Sequence, residues 1–549
     1  MSDRLRITGG AVYDPANGVD GDVRDVCIEN GRIAASLPND APRLDARGMV
    51  VMPGGIDIHA HIAGSSVNHA RRVLSDERTA DPAAAPALLD AVARSGTGGT
   101  VPSTFTTGYR YAGLGYTTVF DAAVAPVSAR DTHAQLDDTP IIDAGFFALM
   151  GNDAYLLQQI AAGERDRARD YAAWLLGATG AYAIKLVNPG GVELWKRNVR
   201  AVQSIDDAGG VPGATPRAIM ETLADAANSL GLPHPVHIHC NNLGLPGNVA
   251  TTLESMRALS GRRAHFTHLQ FHAYAGGGDK PWASGAKELI AYVNAHKEVT
   301  SDVGQVMLGH ATTVTADGAV EYLLHASTGR RWVNVDIELE TGCGIVPYEY
   351  RDTAAVAALQ WVVGLELFLL SDDPWRVVLS TDHPNGGVFT SYPELIRLLM
   401  DKAYRDERLK SVNQKLLAGT ALADGLSREY TLREIAIITR AGPARQLGMP
   451  DKGHLGPGAD ADVTVYARDA NVAAMFATPR YVIKGGTLVV EEGQLRRAPP
   501  TRRLHVRPQY DAAVMRDVSS WFDRYGTIAL ANYPVAPPRD AAVPLGASA

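Results

Sequence analysis

Apolar and polar positions change their spacing along the chain, and this change divides the sequence into parts. Between residues 53 and 430, short apolar runs alternate with stretches of helical periodicity, such as DPAAAPALLDAVARSG at 81–96 and PRAIMETLADAANSLG at 216–231. Strands separated by helices predict parallel βαβ units. About eight candidate strands predict an α/β fold, a (β/α)8 TIM-like barrel. They are GIDIHAHI, YTTVFDAA, IIDAGFFAL, AYAIKLV, PVHIHC, AHFTHLQF, VNVDIE and RVVLSTD.

Both chain ends carry a different pattern, in which short alternating strands are broken by turns. Within residues 1–52, Asn30 and Gly31 form a hairpin signal, because this pair readily supplies the positive φ angles of a tight turn. The same pattern returns in residues 431–500. We therefore expect a small composite β-sandwich domain built from 1–52 and 431–500, with the barrel over 53–430. Residues 501–549 are expected to form a C-terminal extension with one short helix.

Composition and charge exclude several classes of protein. The 549 residues carry a net charge of -8 and show no basic tract, so nucleic acid is not expected as a partner. The N-terminus lacks the pattern of a secretory signal, and the longest apolar stretch, 359–370, is too short to span a bilayer and contains Glu366. The expectation is a soluble, cytoplasmic protein. Cys27, Cys240 and Cys343 form no C-x-x-C motif, which argues against a disulfide framework or an iron–sulfur cluster.

Polar residues recur where the predicted barrel strands end, and in barrels of this type the chemistry sits at the carboxyl ends of the strands. His59 and His61 are two residues apart on a strand, so both side chains leave the same face and can reach one metal ion. Taken alone, such a pair could be structural. Three further strand ends repeat the pattern, with His237 and His239, His265 and His268, and Asp382 and His383. Imidazoles and carboxylates are ligands that favour a divalent ion such as zinc.

Lys185 lies within the apolar run AYAIKLV, where a cation is costly to bury without a partner. The plain interpretation is a lysine at the exposed end of its strand. The alternative is carboxylation of the amine by CO2, which would give an anionic carbamate able to bridge two metals. Two divalent ions held by neutral imidazoles need anions nearby, and a carbamate, Asp382 and a hydroxide would reduce the charge to about +1.

The order of these motifs resembles that of the amidohydrolase superfamily with a binuclear metal centre. DIHAHI, AIKLV, VHIHC, HFTHL and LSTDHP occur in that order and are flanked by split β-strands at both termini. Longer strings are similar to the A subunit of formylmethanofuran dehydrogenase, and in particular to its bacterial counterpart in the formyltransferase/hydrolase complex of methylotrophs. These strings are PGGIDIHAHIAGSSVNHARR, VHIHCNNLGLPGN, HFTHLQFHAY, ETGCGIVPYEY and STDHPNGG. The resemblance covers about residues 4–500.

Carried over position by position, the resemblance implies a complete ligand set for two divalent ions, with zinc favoured. At two strands the residues alone leave a choice between His237 and His239, and between His265 and His268. The resemblance selects the second of each pair, and it makes Asp382 both a ligand and the catalytic acid/base. The implied metal ligands are His59, His61, Lys185 as N6-carboxylysine, His239, His268 and Asp382. Candidate substrate-binding residues are Asn188, Asn242 and His383.

The resemblance also implies a reaction and partners. The expected activity is hydrolysis of the N-formyl amide of a formyl-methylofuran type C1 carrier, giving formate and the free amine. The chain would then be the A-type component of a formyltransferase/hydrolase complex, together with B-, C- and D-type subunits. One alternative is the corresponding component of formylmethanofuran dehydrogenase, which condenses formate. A cyclic-amide hydrolase of the dihydroorotase or hydantoinase type would share every metal ligand, whereas a non-catalytic scaffold would be expected to have lost some.

Overall fold

The strands of the protein follow the change of pattern along the chain. The structure, a computed structural model, describes residues 4–74, 99–196, 201–207, 211–277, 280–315, 317–330, 333–334, 344–526, 528–535 and 542–546. Its strands are β1 (Arg4–Asp14), β2 (Val19–Glu29), β3 (Arg32–Ala34), β4 (Arg43–Asp45), β5 (Val50–Pro53), β6 (Gly55–Ala60), β7 (Tyr116–Val124), β8 (Asp143–Leu149), β9 (Ala183–Val187), β10 (Val236–His239), β11 (Ala264–Phe266), β12 (Tyr274–Gly277), β13 (Lys280–Ser284), β14 (Val299–Asp302), β15 (Gly309–Thr313), β16 (Val333–Asn334), β17 (Gly344–Tyr350), β18 (Val377–Val378), β19 (Val463–Tyr466), β20 (Tyr481–Lys484), β21 (Thr487–Glu491), β22 (Gln494–Leu495) and β23 (Arg503–Leu504).

Most helices lie in the middle of the chain, between the strands of the barrel. They are α1 (Gly64–Val73), α2 (Thr104–Gly113), α3 (Ala129–Asp137), α4 (Ala154–Ala161), α5 (Arg165–Thr179), α6 (Gly191–Lys196), α7 (Pro216–Ser229), α8 (Val249–Ala258), α9 (Ala286–Ala295), α10 (Gly318–Thr328), α11 (Ala355–Leu369), α12 (Tyr392–Met400), α13 (Lys402–Ser411), α14 (Leu432–Ala436), α15 (Gly442–Gln446), α16 (Val472–Ala477) and α17 (Val514–Tyr525). Among the described residues, no helix is long and apolar enough to cross a membrane.

Helix α7 shows why the sequence forms a helix where its periodicity predicts one. Thr215 accepts a hydrogen bond from the backbone N–H of Ala218 at 3.1 Å and so caps the helix. Pro216 follows at the first helical position, where the missing N–H costs nothing. The other helix predicted from its pattern, at 81–96, lies outside the described residues.

Eight parallel strands form the sheet at the centre of the molecule. They lie in the order β6, β7, β8, β9, β10, β11, β14 and β18. The two edges of this sheet meet through a parallel bridge between Ala60 and His383, where the backbone N–H of His61 donates to the His383 carbonyl at 2.7 Å. Every residue of the buried strand β9 is shielded from solvent, as expected of a parallel strand covered on both faces. The predicted barrel is confirmed.

The prediction of one barrel strand is wrong. VNVDIE was expected to be the seventh, but its described part, β16, pairs antiparallel with Gly344 and Ile345 of β17, and the remainder lies outside the described residues. The seventh barrel strand is β14, with the sequence VTSD. The alternation of apolar and polar residues in VNVDIE predicts a half-buried strand but does not indicate which sheet it joins. VTSD is short and polar and carries no such signal.

Strands from both chain ends share one sheet of mixed direction, so a small sheet domain built from both ends is present, while its exact bounds stay a prediction. Its order is β22, β21, β20, β19, β5, β1, β2 and β3, with β4 beside β1. The predicted hairpin between β2 and β3 is present, with φ of 52° at Asn30 and 76° at Gly31. Val51 pairs with Val465 of the late segment, and both belong to an apolar core that also includes Ile7.

The segment that follows residue 500 binds at the amino ends of the barrel strands, opposite the expected site. Strand β23 pairs in parallel with Ala144 and Gly145 at the start of β8. Helix α17 buries Val514, Val518 and Phe522. Strand β23 therefore lies at the base of the barrel, whereas α17 packs against α4 and α5.

A buried network of charges joins the barrel, the composite sheet and this segment. Asp143 at the start of β8 contacts Lys452 at 2.9 Å, Lys484 at 2.8 Å and Arg502 at 2.7 Å. Asp462 contacts the same two lysines at 2.8 and 3.2 Å. The cations hold the pKa of Asp143 well below its usual range, against the effect of burial. Although its acidic residues lie close enough to bind a metal ion, this cluster is already neutralised by lysine and arginine.

Candidate metal centre

His59, His61 and Asp382 come together where the first and last barrel strands meet. His59 lies within β6 and His61 just after it, and the Nε2 atom of each is 2.9 Å from Oδ1 of Asp382. All three residues are buried. Their possible ligand atoms lie within 4.8 Å of one another, so this group could hold a metal ion.

Asp382 is held in an unusual backbone conformation with φ of 49°. Its Oδ1 atom accepts a hydrogen bond from Nδ2 of Asn385 at 2.9 Å. Burial raises the pKa of Asp382, but the neighbouring His59 and His268 outweigh burial and hold it well below the usual range. The side chain is therefore an anion suited to bind a cation or accept a proton.

His239 and His268 form a second pair beside the first. His239 ends β10, and His268 follows β11 with φ of 35°. Their ring centroids are 4.7 Å apart, and that of His268 is 5.1 Å from that of His59. Gly304 is required here, because a Cβ atom at that position would lie 2.3 Å from Cβ of His268. The absence of a side chain at Gly304 thus leaves room for the backbone and Cβ of His268.

Lys185 lies in β9, in register with His237 of the next strand. Only 1% of the residue is exposed, and its Nζ atom has no hydrogen-bond partner among the described residues. Burial lowers the pKa of Lys185 to about 7, opposed by Asp382 and Asp302. A buried amine without a hydrogen-bond partner, beside carboxylates and imidazoles, is not an ordinary surface lysine. Its position is consistent with a lysine that is chemically modified or lies next to bound cations.

His59 is oriented from below by residues deeper in the barrel. Its Nδ1 atom is 3.0 Å from Nε2 of His237 and also contacts the hydroxyl of Thr267. Thr267 in turn donates to Asp302 at 2.5 Å. Burial raises the pKa of Asp302, but His59 and the nearby His265 hold it well below its usual range. Such partners fix the ring orientation of a ligating histidine.

His61 has a similar partner in Asp121 on β7. Oδ1 of Asp121 lies 3.8 Å from Nδ1 of His61, while Oδ2 accepts from the backbone N–H groups of Ile62 and Ala63 at 2.8 Å each. Burial lowers the pKa of His61, but Asp121 and Asp382 outweigh it and raise the value to about 9. The carboxylates favour positive charge at this position, as a bound cation would require.

His237 and His265 lie below the candidate metal centre and form a hydrogen-bonded stack that contacts His59 from beneath. Their rings are 4.4 Å apart, His237 Nδ1 is 2.9 Å from His234 Nε2, and His265 Nε2 is 3.0 Å from Asp302. Burial is the main cause that lowers the pKa values of all three histidines. These neutral rings form the polar floor beneath His59, and this geometry favours His239 and His268 as the members of each pair that face the centre.

Comparison with known proteins identifies the family to which these residues belong. Residues 44–490 match the model of the amidohydrolase family. The chain belongs to the amidohydrolase family. Protein FwdA of Methanocaldococcus jannaschii is 43% identical over an alignment of 551 positions, which covers 96% of this chain and 96% of that protein. The A subunit of the formyltransferase/hydrolase complex Fhc of Methylorubrum extorquens is 39% identical over 539 residues, which cover 95% and 94%.

A solved structure extends the similarity of this amidohydrolase to three dimensions. It is the crystal structure of the formyltransferase/hydrolase complex FhcABCD from Methylorubrum extorquens in complex with methylofuran. The match has a TM-score of 0.89 at 38% identity and covers 97% of this chain and 96% of that chain. The resemblance to these A subunits is therefore confirmed.

The amidohydrolase centre opens beside Asp382 into a cleft with largely apolar walls. Phe271, Tyr348 and Tyr350 contribute aromatic rings to it. The hydroxyls of both tyrosines donate to the carbonyl of Asn385 at 3.1 Å, which holds these rings in place. The remaining lining residues are Leu243, Gly244, Thr313, Thr315, Val320, Leu324 and Gln360.

Two of the predicted substrate-binding residues use their polar groups within the protein. The amide of Asn242 donates to the Val202 carbonyl at 2.7 Å and accepts from the Val202 N–H at 2.8 Å. The Nδ1 atom of His383 accepts from the backbone N–H of Phe389 at 3.4 Å. A substrate role for Asn242 and His383 stays a prediction.

Asn188, the third predicted substrate-binding residue, follows β9 at the rim of the centre with φ of 45°. Its backbone N–H donates to the carbonyl of His239 at 3.0 Å, and its Oδ1 atom accepts from Asn241 at 2.7 Å. The residue is partly exposed. It therefore bridges two strand ends, and its role toward substrate also stays a prediction.

Sequence reasoning missed several acidic residues around this centre. Asp302 ends β14, the strand without an apolar signal, and Asp121 lies near the end of β7. Asp317 precedes α10, and its Oδ1 atom lies 3.2 Å from Nε2 of His239. Burial raises the pKa of Asp317 to about 8. The one available signal was position towards the end of a predicted strand, which would have found Asp121 but neither Asp302, whose strand has no apolar signal, nor Asp317.

Proposed function

We propose that the chain hydrolyses the N-formyl amide of a formyl-methylofuran type C1 carrier to formate and the free amine. It would do so as the A-type component of a formyltransferase/hydrolase complex, with B-, C- and D-type subunits as partners. The observation that carries the proposal is the meeting of three residue sets in one buried centre. These are His59 and His61 with Asp382, His239 with His268, and Lys185.

The proposed cofactors are two divalent ions, with zinc favoured by the donor set. His59, His61 and Asp382 would hold the first ion, and His239 and His268 the second. Lys185, as N6-carboxylysine, would bridge them, which is supported by its burial without a hydrogen-bond partner in the described part of the chain. When bound, such ions supply Lewis acidity and lower the pKa of water from about 15.7 to about 7.

Asp382 would carry the proton transfers of the reaction. Its low pKa keeps it ionised at neutral pH, so it can accept a proton as water adds to the formyl carbon. The carbon–nitrogen bond then breaks, and Asp382 returns the proton to the departing amine nitrogen. The formyl carbon leaves as formate, and no further reactant is needed.

The apolar cleft would receive the furan ring of the carrier. Phe271, Tyr348 and Tyr350 present aromatic surfaces beside Asp382, and an aromatic ring packs favourably against such surfaces. This placement would bring the amide bond to the carboxylate. The cleft therefore favours a formamide that carries a furan ring over a small cyclic amide as the substrate.

Formate condensation, which the resemblance to formylmethanofuran dehydrogenase implies as the alternative, is the second candidate reaction. The same residues would serve both directions, because a catalyst accelerates forward and reverse reactions alike. Assay of the chain with free formate and amine carrier, beside the formyl carrier, measures the rate of each direction.

Substrate comparison with the purified chain tests the proposed function. N-formyl-aminomethylfuran carrier, dihydroorotate and hydantoin are offered in parallel, and formate or ring-opened product is measured. We expect formate release from the formyl carrier and no ring opening of dihydroorotate or hydantoin. Asp382→Asn should retain much of its metal yet lose most turnover, so near-normal turnover would contradict its role. Opening of a cyclic amide without hydrolysis of the formyl carrier would overturn the proposed substrate assignment.

A further inference from the structure

The carboxylate of Asp317 lies against the proposed position of the second ion. Its Oδ1 atom is 3.2 Å from Nε2 of His239, and only 7% of the residue is exposed. The backbone N–H of Leu243 donates to the same carboxylate. Two donor atoms bound to one zinc ion at tetrahedral angles are about 3.3 Å apart. The observed separation of 3.2 Å fits two ligands that share one ion.

Asp317 also departs from the usual behaviour of an aspartate at its position. It is the N-cap residue of α10, where a carboxylate ordinarily accepts from a backbone N–H two or three residues later. It forms no such bond here. Its backbone carbonyl still accepts from the N–H of Glu321 at 3.1 Å, so the helix begins normally. The side chain is thus turned away from the helix and toward His239.

The charge around Asp317 points to a cation as its missing partner. Within the described ranges of the chain, no lysine or arginine forms an ion pair with Asp317, and His239 is the basic residue that contacts it. A buried carboxylate without a cation is costly. Asp143 at the base of the barrel shows the alternative, since lysine and arginine surround it.

We propose that Asp317 is a further protein ligand of the second metal ion and binds it through Oδ1 beside His239 and His268. This assignment rests on the proposed binuclear centre and adds a ligand to it. With carboxylated Lys185 and Asp382, Asp317 supplies a third anionic protein group. These three anions and one hydroxide offset the four positive charges of two divalent ions, which favours their burial. The Leu243 N–H orients the carboxylate.

Metal affinity of the full-length chain tests this assignment. Asp317→Asn keeps the shape of the side chain and removes its charge. It is expected to weaken binding of one of the two zinc ions by more than about 100-fold, beyond the loss of about 10- to 100-fold that follows removal of an outer-sphere partner. Competition with a chromophoric zinc chelator measures both affinities.

Glu366→Gln is the matched control for this measurement. Glu366 is also a buried carboxylate, and its partners are the hydroxyl of Ser284 and the backbone N–H of Leu422. This variant should bind both zinc ions as the wild type does. Wild-type affinity for both ions in Asp317→Asn would overturn the assignment.

A second variant detects ligation by spectroscopy. Asp317→Cys, loaded with cobalt, is expected to give a near-ultraviolet thiolate-to-cobalt charge-transfer band that wild-type chain and Asp317→Asn lack. A folded, cobalt-loaded Asp317→Cys chain without this band would also overturn the assignment.

Formate release by the wild type in the same preparations separates this assignment from the proposed function. If an active wild-type chain holds two ions and Asp317→Asn binds both unchanged, only the role of Asp317 is refuted. If the wild type holds fewer than two ions, the binuclear centre fails, and the assignment of Asp317 fails with it.

Discussion

Lys185 places an amine where an ordinary lysine would be unfavourable. It is buried in β9 without a hydrogen-bond partner among the described residues, and burial lowers its pKa to about 7. A large share of the amine is therefore neutral near neutral pH and can react with CO2. The carbamate that would form is an anion, and two cations would stabilise it. Burial thus disfavours the ammonium form and leaves a nucleophile in the proposed bridging position.

Replacement of Lys185 by alanine removes the proposed bridge. Lys185→Ala is expected to lower the metal content from two ions per chain to less than one and to abolish turnover, because no other anion would link the two halves of the centre. Metal analysis by mass spectrometry and formate release check both effects. Lys287→Ala is the control, since Lys287 is an exposed lysine. Retention of two ions and full turnover in Lys185→Ala would refute the bridge.

At the level of elements, the turn after β14 determines where His268 can stand. Gly304 has φ of 64°, and its missing side chain leaves the space that the backbone and Cβ of His268 occupy. Asp302, two residues earlier, supports His59 through Thr267. One short polar strand therefore supports both histidine pairs.

Gly304→Ala should displace His268 and weaken the second metal. The new methyl group would lie 2.3 Å from Cβ of His268, in addition to a cost of about 1–2 kcal/mol for the left-handed conformation. Zinc affinity measured by chelator competition is expected to fall at least about 10-fold for one ion. Gly18→Ala is the control, because Gly18 has φ of 70° and no atom lies within 4 Å of the place that its new Cβ would take. Equal metal affinities in both variants would contradict this role for Gly304.

The same element shows how far sequence patterns reach. Strong apolar runs predicted seven of the eight barrel strands, and the spacing of His59 and His61 on one of them predicted a metal group. Strand β14 has too few apolar residues to be found in this way. Asp317 was missed because it lies outside the barrel strands, between β15 and α10, and no local periodicity encodes its approach to His239.

At the scale of the whole molecule, a buried charge network at the base of the barrel joins the composite sheet and the final segment to the barrel. Asp143 of the barrel, Asp462 and Lys484 of the composite sheet, and Arg502 of the final segment form one buried network. Removing one cation from such a network leaves a carboxylate buried without its full compensation. The network thus couples the stability of the composite sheet to that of the barrel, away from the metal centre.

Lys484→Met is expected to destabilise the chain by about 3–5 kcal/mol in urea unfolding at neutral pH. The pKa of Asp462 is lowered to about 2, mainly by Lys452 and Lys484 against burial. Its contribution is therefore present above the unfolded pKa of about 3.9 and is lost as pH falls through about 2. The variant should consequently lose less stability than the wild type between these pH values. Arg351→Ala, which breaks an exposed pair with Glu349, should leave the stability close to that of the wild type.

Zinc titration of the metal-stripped chain, followed by formate release from the N-formyl carrier, tests the central claim most directly. The account predicts negligible release without metal and a rise that reaches its plateau at two zinc ions per chain, the number that the two histidine pairs, Lys185 and Asp382 would hold. Full formate release by the stripped chain, or no release at any zinc concentration, would contradict it.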